Sequence, residues 1–167
     1  DELEYAGNMN AKVNMGWTNT FRYKDFELYM LFTGIFGGNG YGQAVNYYAF
    51  RTSSDVQGDN NFNHGWWTPE NKSNKYPRIN YTDGRYTPLQ GYGFVRLQDL
   101  SLSYTFRQPW VQKAGIGNLK VYMACKNLFT ISGWEGGDPE VQQTLGSGYT
   151  YGYPLSRTVS FGLNLTF

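Results

Sequence analysis

Asp138 and Glu140, in the stretch G-G-D-P-E, place two carboxylates in a glycine-rich turn, a donor pair that could ligate a hard cation through oxygen. Asp-Pro also starts turns in which the aspartate accepts from backbone N–H groups, and that plainer role is the expected one. Asp55, Asp59 and Asn61, in D-V-Q-G-D-N-N, lack the spacing and the closing glutamate of a calcium loop. His64 is the only histidine and Cys125 the only cysteine, so a His-based metal triad, a Ser-His-Asp triad and an intrachain disulfide cannot be built within this chain. Glu27 and Asp99 are too far apart in sequence to be claimed as an acid–base pair, and G-G-N-G-Y-G lacks the strand-to-helix setting of a phosphate loop. Neither an enzyme nor a bound cofactor is expected. The remaining groups with chemistry to offer are aromatic: Trp66, Trp67, Trp134, Tyr149, Tyr151 and Tyr153, joined by Tyr47 and Tyr48. Sugar rings stack on such faces, so these residues are candidates for contact with a substrate, against the simpler reading that they pack loops onto one another.

The composition narrows what could carry those aromatics. Charged residues make up 16% of the 167-residue chain and aromatics 19%, with 21 Gly, whereas typical soluble domains are roughly a quarter charged. The mean hydropathy is nonetheless negative. No apolar run approaches the ~20 residues of a membrane helix, so a helical membrane protein is excluded. A net charge of +1 gives no electrostatic footprint for nucleic acid. The start, D-E-L-E-Y-A-G-N, has neither the basic nor the apolar region of an export signal. Two expectations follow: a cytoplasmic protein, or a mature chain or fragment whose signal lay elsewhere.

Period-two alternation marks five strands, at about 12–23, 26–36, 94–106, 118–131 and 158–167. In the last, T-V-S-F-G-L-N-L-T-F, Val159, Phe161, Leu163, Leu165 and Phe167 alternate with small or polar residues. A two-residue K-D turn joins the first pair, and a connection around Arg107–Gly117 joins the third to the fourth. Long Gly-, Asn- and Tyr-rich loops, about 37–93 and 132–157, fill the other gaps. Strands longer than the usual five or six residues, joined by turns that alternate short and long, are the pattern of a transmembrane barrel with its long loops outside. Large aromatics at the strand ends (Trp17, Tyr23, Phe26, Tyr104, Phe106, Phe167) suit its interfacial girdles. Five strands cannot close a membrane barrel, so the chain is expected to be the C-terminal part of something larger, or one of several pieces. The alternative is a soluble β-sandwich that binds carbohydrate through its aromatic loops.

Five motifs, in order, carry a family resemblance. They are Y-A-G-N with M-G-W-T-N-T-F-R-Y-K-D-F-E-L-Y, W-W-T-P-E-N, F-V-R-L-Q-D-L-S-L-S-Y-T-F, N-L-F-T-I-S-G-W-E-G-G-D-P-E, and the closing Y-P-L-S-R-T-V-S-F-G-L-N-L-T-F. Together they resemble the C-terminal end of a SusC/RagA-type TonB-dependent outer-membrane transporter. The usual Leu-Pro ending of the third motif is replaced by Phe106-Arg107. The resemblance implies an all-β fold, namely an antiparallel transmembrane β-barrel segment within a plugged barrel of about twenty-two strands in the outer membrane of a Gram-negative bacterium. It also implies import of oligomeric nutrients, glycans or peptides, beneath a SusD-like lipoprotein lid that the loop aromatics could touch. Energy would come from the TonB complex, acting through an N-terminal region that lies outside this sequence. Phe161, Leu163, Leu165 and Phe167 would then form the signal read by the barrel-assembly machinery, and the apolar faces would meet outer-membrane lipid.

Overall fold

The computed structural model describes residues 7–41, 67–73, 78, 89–134, 137–140 and 153–167. Five long strands build one antiparallel sheet: β1 (Val13–Tyr23), β2 (Phe26–Phe36), β5 (Phe94–Phe106), β6 (Asn118–Ser132) and β7 (Thr158–Thr166), side by side in that order. A short ribbon, β3 (Asn39–Tyr41) with β4 (Leu89–Gly91), continues from the far ends of β2 and β5 into the first long loop. The stretch between β5 and β6, expected only as a connection, holds a one-turn helix, α1 (Pro109–Lys113). Its start is set by proline in the first turn, where the missing N–H would be unpaired in any helix. The K-D turn closes the first hairpin without glycine because Lys24 itself takes the left-handed conformation, at φ 53°.

Register turns alternation into two continuous faces. Phe21, Leu28, Leu102, Met123 and Phe161 form one cross-sheet row, and Trp17, Phe32, Leu97 and Phe129 form another on the same side. The opposite side carries Thr20, Tyr29, Ser101, Ala124 and Ser160, followed by Arg22, Glu27, Ser103 and Tyr122. On this polar side the Arg22 Nε donates to Glu27 across the hairpin at 2.6 Å, and the Lys120 ammonium stands 3.8 Å from the same carboxylate. Tyr122 lies over Gly162, its partner on β7, where any Cβ would collide with the ring. That is the cross-strand cover by which an aromatic shields a strand glycine.

The apolar side has no second layer over it among the described residues. Tyr23 is 71% exposed and Phe161 80%, and Val13, Met15, Trp17 and Leu163 are each at least half exposed. A soluble sandwich buries this face against a second sheet, and the described residues supply none. Asn19 interrupts the apolar side, and its amide nitrogen is buried without a partner. No helix among the described residues is long and apolar enough to cross a membrane.

Close packing concentrates at the long-loop end. Tyr92, Phe94, Leu97, Trp134 and the polar Arg96 are all less than a tenth exposed there. Tyr92 fixes this end by donating its hydroxyl to the Met9 carbonyl while its ring covers Gly38, which sits at φ +82°. The Asn39 N–H reaches the Asn8 carbonyl at 2.8 Å, so the segment before β1 is tied to the ribbon twice. Gly38→Ala would meet both left-handed strain, worth about 1–2 kcal/mol, and a clash with the Tyr92 ring. We expect this variant to lose amide protection at residues 8–10 and 39–41 in hydrogen exchange, with the hairpin of β1 and β2 unchanged.

Candidate functional site

The site lies on the polar side of the sheet, at its long-loop end, and a bulge makes it possible. Phe32 faces Leu97 and Leu31 faces Asp99, which leaves Gln98 outside the ladder. On the other flank Leu97 faces Phe129 and Asp99 faces Lys126, with Asn127 at φ 51° beside the irregularity. One inserted residue reverses which parity faces which side. Downstream of it the even residues Leu100, Leu102 and Tyr104 share the apolar side. Upstream, the even residue Arg96 is sent to the polar side, opposite Thr33 and Thr130.

Arg96 is 2% exposed and anchors the second long loop. Its Nη2 donates to Asp138 Oδ1 at 2.5 Å, its Nη1 to Glu140 Oε2 at 2.5 Å, and its Nε to Thr130 Oγ1 at 2.9 Å. The Phe94 ring lies 5.1 Å from the guanidinium carbon and closes one side. Asp138 is a hub: Oδ1 also accepts from the Glu140 N–H at 3.0 Å, an Asx turn, and Oδ2 accepts from the Leu155 N–H at 3.1 Å. Asn127 adds a bond from its amide to the Ser156 carbonyl at 3.2 Å. Both stems of the loop are therefore tied to the wall at one point. A buried arginine needs such partners, since an unpaired charge out of water costs several kcal/mol.

The two carboxylates named as weak cation candidates are thus ligands of a guanidinium. Their turn chemistry is as the sequence suggests, but the arginine they hold is the residue that sequence reasoning missed. A signal was available in F-V-R-L-Q-D-L, where an arginine falls on the parity of the apolar residues that follow.

The aromatic candidates separate by position. Trp134 is 8% exposed, its ring packed against Gly40 of β3 and its backbone N–H held by Ser132 Oγ at 3.0 Å. It braces the loop and offers little surface to a ligand. Tyr153 is 93% exposed just before the stem that Asp138 holds, and Trp67 is 38% exposed. Trp66, Tyr149 and Tyr151 lie outside the described residues. A cavity of about 330 Å³ opens beside Arg96, bordered by Asn127, Trp134, Leu155 and Arg157. The polar groups that border it can hydrogen-bond a polar solute. Phe161, Leu163, Leu165 and Phe167 are 80, 59, 40 and 88% exposed along β7 and its end, far from this site in the sheet.

No family model matches the chain. It is 28% identical over 177 aligned residues, 99% of its own length, to TonB-dependent receptor P3 of Formosa agariphila. It is 34% identical over 76 residues, 44% of its length, to TonB-dependent receptor SusC of Bacteroides thetaiotaomicron. The chain spans only 17% of the first of these relatives and its match covers 7% of the second. Among solved structures it is similar to a structure of the RagAB peptide transporter, with a TM-score of 0.67 and 25% identity over 91% of this chain and 17% of that one. The RagAB peptide importer in its open-open state matches with a TM-score of 0.66 at 23% identity, over 95% of this chain and 17% of that one, a likeness of fold. Over 99% of its length the chain is similar to a TonB-dependent receptor, and over 91% to a RagAB transporter structure, as a portion of a SusC/RagA-type outer-membrane β-barrel would be.

Proposed function

We propose that the complete protein imports oligomeric nutrients, peptides or glycans, across the outer membrane with energy delivered through TonB, beneath a SusD-like lipoprotein. This chain supplies part of the wall and two of the outer loops. In this reading the K-D turn and α1 face the periplasm and the long loops face outside. Trp66, Trp67, Tyr149, Tyr151 and Tyr153 are then the residues that touch substrate or lid. Arg96, Asp138 and Glu140 hold the loop that carries three of them, and Trp134 braces it. The exposed run Phe161, Leu163, Leu165 and Phe167 is the face offered to the barrel-assembly machinery.

The observation that carries this reading is the loop latched to the polar side of a wall whose other side is apolar. A loop base fixed inside the mouth can present aromatic side chains to a solute entering from outside, as binding loops on rigid scaffolds do. Uptake by cells lacking the gene tests it. Fluorescently labelled peptide and glycan oligomers should accumulate in the periplasm of the parent strain and not in the deletion strain. Uncoupling the inner membrane should abolish the difference. Equal accumulation in both strains for every oligomer offered would overturn the import reading.

A further inference from the structure

Within the proposed orientation, on which this inference rests, we propose that the turn between β5 and β6 is a membrane foot. Trp110 sits in the headgroup layer of the periplasmic phospholipid leaflet, and Lys113 and Lys24 meet its phosphates.

The turn is built as a continuation of the lipid side of the wall. Phe26 and Tyr104 lie ring to ring at 4.6 Å, Tyr104 and Phe106 at 4.7 Å edge-on, and Phe106 and Trp110 at 5.8 Å edge-on. The first three belong to the apolar side, so the ladder leads from it directly onto α1. Its last member, Trp110, is 51% exposed. The Tyr104 hydroxyl accepts from the Gln108 amide at 2.9 Å, which joins ladder and turn a second time.

Loose turns do not hold a tryptophan at a fixed depth, and this one is not loose. Val111 is 2% exposed, and its carbonyl accepts from the Ile116 N–H at 3.1 Å. The Gly117 N–H bonds the Thr166 carbonyl at 2.7 Å, which ties the turn to the end of β7. Arg107 pairs with Asp25 of the neighbouring hairpin turn at 3.0 Å, so the two turns at this end are joined. Lys113 and Lys24 make no ion pair among the described residues; the Lys24 ammonium stands 5.4 Å from the Tyr23 ring centre. An indole with its apolar body against a lipid-facing ladder, on two joined turns that also carry Lys24 and Lys113, matches the chemistry of the interface, where tryptophan and lysine anchor membrane proteins. Gln112, two residues on, lies about 200° around the helix axis from Trp110.

The test uses the full-length barrel in phospholipid bilayers, with a nitroxide label on Trp110→Cys, Gln112→Cys, Leu102→Cys or Ser101→Cys. Relative accessibility to oxygen and to a water-soluble nickel chelate reports depth. At position 110 the oxygen-to-nickel ratio should be several-fold above that at 112 and below that at 102. Because the label replaces the indole, the wild type is also compared with Trp110→Phe in lipid brominated near the headgroup. The fluorescence lost with Trp110 should be the strongly quenched part. A water-like label at 110, or one shielded from both reagents as in a protein contact, with 102 still in lipid, would overturn the foot alone. Equal values at 102 and 101 would overturn the membrane wall on which it rests.

Discussion

Replacing Arg96 with methionine is expected to release the loop between β6 and β7 from the wall. Asp138 is 8% exposed and its strongest partner is the guanidinium. Without it a carboxylate stays out of water with only the Glu140 and Leu155 N–H groups as donors. Breaking one side of a buried pair costs about 3–5 kcal/mol, because the surviving charge is left uncompensated. The sheet need not absorb that cost. The loop can swing Asp138 into water, so the loss is limited to the free energy with which the loop docks. Amide exchange should therefore rise by orders of magnitude at Leu155 and its neighbours, while β1 and β2 keep their protection. Arg96→Lys should recover only part, since a compact ammonium cannot span the three positions that the separate guanidinium nitrogens reach. Glu140→Gln should do less than either, its side chain being 44% exposed. Adding Asp138→Asn to Arg96→Met should restore a good share, because no buried charge then remains. Unchanged exchange at Leu155 in Arg96→Met would show that the latch does not hold the loop.

Sequence periodicity reached the sheet more easily than the site, and the reason is physical. Alternation is a local property, and residues such as Leu100, Leu102 and Tyr104 declare their side without reference to any partner. The register then places them in rows with Met30, Leu28 and Phe26. Arg96 was hidden because Gln98 breaks the period in the same strand, and a bulge is recognised from the partner strands. Asp138 and Glu140 stand out in sequence as a pair of carboxylates, but their ligand lies 42 and 44 residues away. Spacing carries no record of such a contact. Trp134 attracted attention as a tryptophan in a loop; its burial depends on Gly40, in a ribbon that has no sustained periodicity of its own. The helix α1 is one turn long, too short for any 3.6-residue pattern to appear. Folds are thus legible where the signal repeats along the chain, and sites stay hidden where it is a single long-range contact.

A charge at the centre of the apolar side should be the most damaging single change in the wall. Leu100 is the middle residue of β5 and lies in a row with Met30, Cys125 and Val159. At the midplane of a bilayer Leu100→Arg would cost about 2–4 kcal/mol, because no water or counter-charge is near. Ser101→Arg, one residue on, turns to the polar side beside Tyr29 and Ala124 and should change stability by no more than about 0.5 kcal/mol. The same pair of results would also follow if another protein layer covered the apolar side, so depth must be tested as well. Tyr23 lies at the short-turn rim of that side and is 71% exposed. In a bilayer Tyr23→Arg should cost only about 0–1 kcal/mol, since its guanidinium reaches the headgroups. Urea titration of the barrel folded into phospholipid vesicles measures all three. The ordering Leu100 far above Tyr23, with Ser101 near zero, is that of lipid. Equal losses at Leu100 and Tyr23 are those of a protein interior, and would remove the membrane from this face.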